Sequence, residues 1–118
     1  MTCVAAPKKI DLCRRRGDTF ADIFTLKDSA GVAIDISSGY SFLLTVDPSE
    51  SPVNSDNNLF QLTGVIVDGP NGKVSFAPSA VQSDQPPATY FYDIQQTLSG
   101  VVRTIVVGEY DIVQDITK

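Results

Sequence analysis

The sequence predicts an all-β domain, either a sandwich or a small barrel, on three observations. Short runs with two-residue hydrophobic periodicity recur along the chain. Glycine, proline, asparagine and aspartate cluster between those runs at nearly regular spacing, which is turn chemistry. One stretch alone carries a helix-start pattern, and it is short. The chain has 118 residues, 42% of them hydrophobic and 19% charged. That length and composition suit one domain over residues 1–118 with its own core, and argue against a disordered or fibrous chain. Residues 1–8 are expected to form a flexible N-terminal arm.

The elements follow in chain order. "KIDLC" (9–13) predicts an edge strand, and "TFADIFTL" (19–26) a second strand. "DSAG" (28–31) turns the chain into the short segment "VAID". "YSFLLTV" (40–46) alternates cleanly, with Tyr40, Phe42, Leu44 and Val46 on one face. "DPSESPVNSDNN" (47–58) has no apolar period and predicts an exposed loop. "LFQLTGVIV" (59–67) supplies a strand, and "DGPNG" (68–72) folds it back onto "KVSFA" (73–77). In "PSAVQSDQPP" (78–87), Ser79 and Gln82 have capping-box spacing and Pro86-Pro87 prevents continuation. A turn or two of helix near 79–84, crossing between sheets, is expected. "ATYFYDIQQT" (88–97) sets Tyr90, Tyr92 and Ile94 against Phe91, Asp93 and Gln95. "LSG" (98–100) makes a tight hairpin to "VVRTIVV" (101–107), whose two apolar faces predict a central or doubly covered strand. "EYDIVQDI" (109–116) completes a set of about seven to nine strands.

Little in this chain suggests catalysis. It contains no histidine, so the usual general base and the usual transition-metal ligand are missing. No serine sits in a Gly-x-Ser-x-Gly elbow. Cys3 and Cys13 cannot build a zinc site alone, and two inert, partly buried thiols are expected rather than a disulfide. Asp47, Glu50 and Asp56 carry oxygen ligands for Ca²⁺ but lack the spacing of a known calcium loop, so a solvated loop is expected. Asp93, Asp111 and Asp115 fall on strands, and nothing in the sequence sets a pair of them at the separation a glycosidase needs. Tyr90, Phe91 and Tyr92 suit core packing better than a stacking platform for sugars or bases. The expectation is a non-enzymatic protein without cofactor or metal.

The formal net charge of −5 opposes general nucleic-acid binding. The basic residues cluster in Lys8, Lys9, Arg14, Arg15 and Arg16, which read either as a solvated strand end or as candidates for docking on an acidic partner. No apolar run approaches the length of a membrane span, and "MTCVAAPKKIDL" lacks the layout of a secretory signal. No membrane partner is expected, and the chain is expected to stay in the cytosol or to leave it by another route.

The order of several motifs resembles a family of phage virion domains. "RGDTF" (16–20) and "FTLKDSAGVAIDIS" (24–37) come first, then "YSFLLTV", "GKVSF" (72–76) and "PSAVQS" (78–83). "YFYDIQ" (90–95) and "RTIVVGEYDIVQDIT" (103–117) close the series. From about residue 10 to 117 this resembles the immunoglobulin-like antiparallel β-sandwich at the N-terminus of baseplate upper proteins, and related small tail or neck proteins of tailed phages. The resemblance implies a bacteriophage structural protein, made in the bacterial cytoplasm and resident in the virion. Its implied partners are other tail or capsid subunits and further copies of itself. Longer baseplate proteins continue past this domain, whereas this sequence stops at Lys118 and has a longer loop at 47–58. The implied role is therefore a small tail, neck, baseplate or head-surface accessory component. A carbohydrate- or receptor-binding module, using the 47–58 loop and exposed tyrosines, is the alternative. Under the resemblance, Gly17 and Asp18 are a fold-signature turn, with Gly17 supplying backbone freedom and Asp18 accepting nearby N–H groups. Arg16-Gly17-Asp18 then spells an adhesion tripeptide only by coincidence.

Overall fold

The computed structural model describes residues 7–116. Nine strands and one short helix follow in order: β1 (Lys8–Lys9), β2 (Leu12–Arg15), β3 (Asp22–Thr25), β4 (Tyr40–Asp47), β5 (Phe60–Thr63), β6 (Val65–Asp68), β7 (Lys73–Phe76), α1 (Ala80–Ser83), β8 (Ala88–Leu98) and β9 (Val101–Val113). They form an all-β sandwich. The larger sheet runs β1-β9-β8-β4-β5, with β2 also on β9, and the smaller runs β3-β7-β6. Among the described residues no helix is long and apolar enough to cross a membrane.

Alternation builds the core as expected. Phe42, Leu44 and Val46 of β4, Tyr90, Tyr92 and Ile94 of β8, and Val106, Tyr110 and Ile112 of β9 are buried from the large sheet. Phe24, Val74 and Phe76 meet them from the small one. Aromatic edges pack within each layer: Phe24 meets Phe76 at 5.8 Å in the small sheet, and Tyr110 meets Phe60 and Tyr92 at 5.9 Å each in the large one, all near-perpendicular. The hairpin at 98–100 is tight because Ser99 and Gly100 both take positive φ, 51° and 79°, which suits the twist of paired strands. The capping box forms in full, with Ser79 Oγ accepting from the Gln82 N–H and Gln82 Oε1 from the Ser79 N–H. The helix α1 carries the chain from the small sheet to the large one.

Three expectations are amended. The predicted strand 59–67 is two strands in different sheets, because the chain crosses at Gly64. A Cβ there would stand 2.8 Å from Val74 Cγ2 and 2.9 Å from Phe42 Cβ, so only glycine lets the chain pass between the layers. The separate strands predicted at 101–107 and 109–116 are one thirteen-residue strand running through Gly108. It is central in the sheet, but its first residues, Val101 and Val102, project into solvent at the hairpin tip rather than lying covered. Finally, the sandwich is not antiparallel throughout. β1 and β2 run parallel to β9, pairing Lys8 with Val106 and Leu12 with Tyr110. Lys8, placed by the sequence in a flexible arm, therefore belongs to a strand, and residues 1–6 of that arm lie outside the described residues.

The interruption between β1 and β2 has a local cause. The Ile10 carbonyl swings over Gly108 and accepts the Tyr92 hydroxyl at 2.6 Å. Asp11 Oδ1 takes the Glu109 N–H at 3.0 Å, replacing a ladder bond. A Cβ on residue 108 would fall 1.9 Å from the Ile10 oxygen. Burial of the Tyr92 hydroxyl, with Asp22 and Asp11 nearby, raises its pKa well above the ordinary tyrosine value. Gly108→Ala is accordingly expected to push the N-terminal strands off β9. A loss of about 2–3 kcal/mol, or roughly 10 °C in melting temperature, is the expected result of thermal denaturation.

Candidate protein interface

The five clustered cations divide once the strand pleat is taken into account. Along β2 the side chains of Leu12 and Arg14 turn inward, while Cys13 and Arg15 turn out. Arg14 is buried between the sheets. It donates to the Asp18 carbonyl at 3.0 Å, the Phe20 carbonyl at 3.1 Å and Asp22 Oδ2 at 2.7 Å. Its side chain is 1% exposed, and the guanidinium lies 4.2 Å from the Phe20 ring centroid. Arg14 is therefore unavailable for docking, contrary to its place in the predicted basic patch. Periodicity carried part of the signal: Arg14 and Arg15, adjacent on a strand, must face opposite sides, whereas Arg16 lies in the turn that follows. Which face is the core is decided by β9, whose Ile112 pairs with Arg14.

The other two arginines stay near the surface. Arg15 donates to the Gln114 carbonyl at 3.1 Å, and Arg16 Nε meets Asp84 Oδ1 at 2.6 Å. The latter pair is partly exposed and contributes little to stability. Lys8 and Lys9 are exposed. Gly17 takes φ 86°, as a turn residue that favours glycine, and its N–H bonds the Ser83 carbonyl at 3.2 Å. Asp18 is held through its main chain rather than through its carboxylate as expected: its N–H reaches the Arg15 carbonyl and its own carbonyl takes Arg14. The tripeptide is a turn tied down on both sides, not the tip of a free loop.

The remaining candidates separate as well. Cys13 is free and exposed, where a partly buried thiol was expected, and Cys3 lies outside the described residues. Asp47 is buried and clamps the long loop, accepting the Ser49 N–H at 2.8 Å and Asn58 Nδ2 at 2.7 Å. Asp93 pairs with Val107 in the ladder, and Asp111 lies four residues further along β9. That offset is about 13 Å at the usual rise per residue, beyond the spacing of a glycosidase pair. Among the described residues no group of three or more cysteine and acidic side chains is placed to hold a metal. Tyr90, Tyr92 and Tyr110 are buried and Tyr40 is half-buried, so none of the four tyrosines stands fully exposed as the sugar-binding alternative assumed. Tyr110 packs against Arg14, and burial lifts its pKa to about 12 although the guanidinium pulls the other way.

A surface that sequence reading passed over lies on β6. This strand closes one edge of the small sheet, with Val65 61%, Ile66 36% and Val67 52% exposed. The register against β7 slips between Ile66 and Asp68, which leaves Val67 as an extra residue on an open edge. The expected fold-back of this run onto "KVSFA" is present, and the crossing at Gly64 is what carries it to the rim of the small sheet.

No family model matches the chain. No curated protein matches it either. A crystal structure of an uncharacterized protein from Bacillus anthracis str. Ames is similar over 92% of this chain and 85% of its own, with 13% identity and a TM-score of 0.44. At that similarity it bears on neither fold nor function.

Two outcomes follow. Arg14→Ala leaves Asp22 and two carbonyls without their donor, and is expected to cost about 3–5 kcal/mol in urea unfolding, while Arg15→Ala stays within about 0.5 kcal/mol. Burial also raises the Asp93 carboxyl above its usual range, so its ionised form is disfavoured in the fold. The stability tied to this group is full below the unfolded carboxylate range and is lost as pH rises through the raised folded value. Asp93→Asn is therefore expected to melt higher than the parent at about pH 7 and to match it near about pH 3, read by calorimetry.

Proposed function

We propose that this chain is a non-enzymatic structural subunit of a tailed-phage particle, in the tail, baseplate, neck or head surface, that works through contacts with copies of itself and with neighbouring subunits. The observation that carries this reading is the β6 edge. Three consecutive apolar residues stand exposed on a strand whose outer hydrogen-bonding groups have no partner among the described residues. Proteins that act alone blunt such an edge with lysine, proline or a cover; a subunit of a repeating assembly uses it to join its neighbour. The motif order from "RGDTF" to "YDIVQDIT" supports the virion setting. The outward cations Lys8, Lys9, Arg15 and Arg16, on a chain of net charge −5, suit a partner with acidic surface.

Particles purified from cells carrying the gene are expected to contain the protein at a fixed, high copy number by quantitative mass spectrometry. The purified chain is expected to self-associate at high concentration in light scattering. Val65→Lys with Val67→Lys is expected to abolish that association while leaving the circular dichroism of the β fold unchanged. A chain that stays monomeric and is absent from the particles overturns the reading.

A further inference from the structure

The two sheets are joined at one end and parted at the other. Beside Arg14 the strands β2 and β3 are bridged; toward the β8–β9 hairpin they separate around an open cleft of about 980 Å³. Its apolar lining includes Ile23, Leu26, Ile34 and Ile105. On one side stands β3, which pairs with β7 and has its other edge open. On the other stands the first part of β9, Val101 to Ile105, whose outer edge pairs with no strand among the described residues, β1 meeting β9 at Val106 and Val107. Two strand edges with unpaired backbone among the described residues therefore border one apolar cleft.

Charge narrows the occupant. Lys8, Lys27 and Arg103 line the cleft, all three exposed, and none has a carboxylate partner within ion-pair distance among the described residues. The carboxylates there are Asp22, neutralised by Arg14, and Asp28, which caps its own turn through the Ala30 and Val32 N–H groups. The mouth is thus locally positive on a protein whose net charge is −5. Unpaired strand edges suit main-chain hydrogen bonds, the apolar lining suits every second side chain of an extended segment, and the rim suits acidic residues between them.

We propose that this cleft is an acceptor site for an extended segment of a partner protein in which apolar and acidic residues alternate, bound by strand addition to β3 or the open part of β9. The site is distinct from the β6 edge and stands whether or not the chain resides in a virion. Its test is a titration of the full-length, ¹⁵N-labelled chain at low salt with the acetylated, amidated peptide (Val-Glu)4, followed by amide chemical shifts. The expected shifts fall on Ile23–Leu26, Ile34 and Val101–Ile105. (Val-Lys)4 and (Ser-Glu)4 are expected to bind at least tenfold more weakly. Lys27→Glu with Arg103→Glu is expected to weaken (Val-Glu)4 about tenfold while the rest of the spectrum shows the same fold. Equal binding of the three peptides, or shifts confined to β5 or β6, overturns the proposal. So does octanoate reproducing the cleft shifts while (Val-Glu)4 leaves them unmoved, because the site then takes a small anionic amphiphile.

Discussion

The buried guanidinium of Arg14 is the contact on which the rest of the arrangement depends. It lies on β2 of the large sheet and reaches Asp22 on β3 of the small one, so a single side chain joins the two layers. Taking that charge out of water is costly, and the carboxylate alone would not offset it. Two carbonyls from the connecting segment, at Asp18 and Phe20, and the face of the Phe20 ring complete its surroundings. The connection 16–21 is thereby wrapped around the residue it serves. The pair thus specifies which strands stand opposite one another more than it adds net stability.

From that anchor the two ends of the sandwich diverge. Near Arg14, Tyr110 packs its ring against the guanidinium and against Phe60 and Tyr92, and the layers are filled. Toward the hairpin the large sheet continues as the long β8–β9 pair, while the small sheet has only four-residue strands. The shorter layer cannot cover the longer one over its full length. The parted edges and the exposed Val101 and Val102 follow from that mismatch in strand length, with no need for a special loop. Gly108 sits at the boundary, where the N-terminal strand ladder is interrupted over Ile10 and Asp11 so that the Ile10 carbonyl can take the Tyr92 hydroxyl.

Much of this was legible in the residues, and the parts that were not share one cause. Period-two alternation in 40–46 and 88–97 named the buried face correctly, and the Ser79–Gln82 pair and the 98–100 hairpin are set by local chemistry. What sequence reading missed depends on which strand lies beside which. Gly64 and Gly108 look alike as interruptions of apolar runs, yet one moves the chain to another sheet and the other keeps a single strand continuous. The difference lies in what each would strike: Val74 and Phe42 across the core for the first, the Ile10 carbonyl of a neighbouring strand for the second. The parallel placement of β1 and β2 was likewise invisible, since an edge strand has the same pattern in either direction.

The arginine run shows how the same limit bears on function. Counted as charges, Arg14, Arg15 and Arg16 form one basic patch, and Arg16-Gly17-Asp18 spells a tripeptide that an adhesion receptor reads. With Arg14 and Arg15 on a pleated strand and Arg16 in the turn after it, the run splits into a buried tie and two surface cations, and the glycine becomes a bend held by the Ser83 carbonyl. A receptor that needs arginine and aspartate displayed on a free loop would have to break the Arg16–Asp84 pair and the main-chain bonds of Gly17 and Asp18 together. Those same bonds hold the carbonyl of Asp18 in place for Arg14. Opening the turn for recognition would therefore loosen the contact that joins the sheets. That coupling makes the segment part of the scaffold, and leaves interaction to the edges the scaffold exposes.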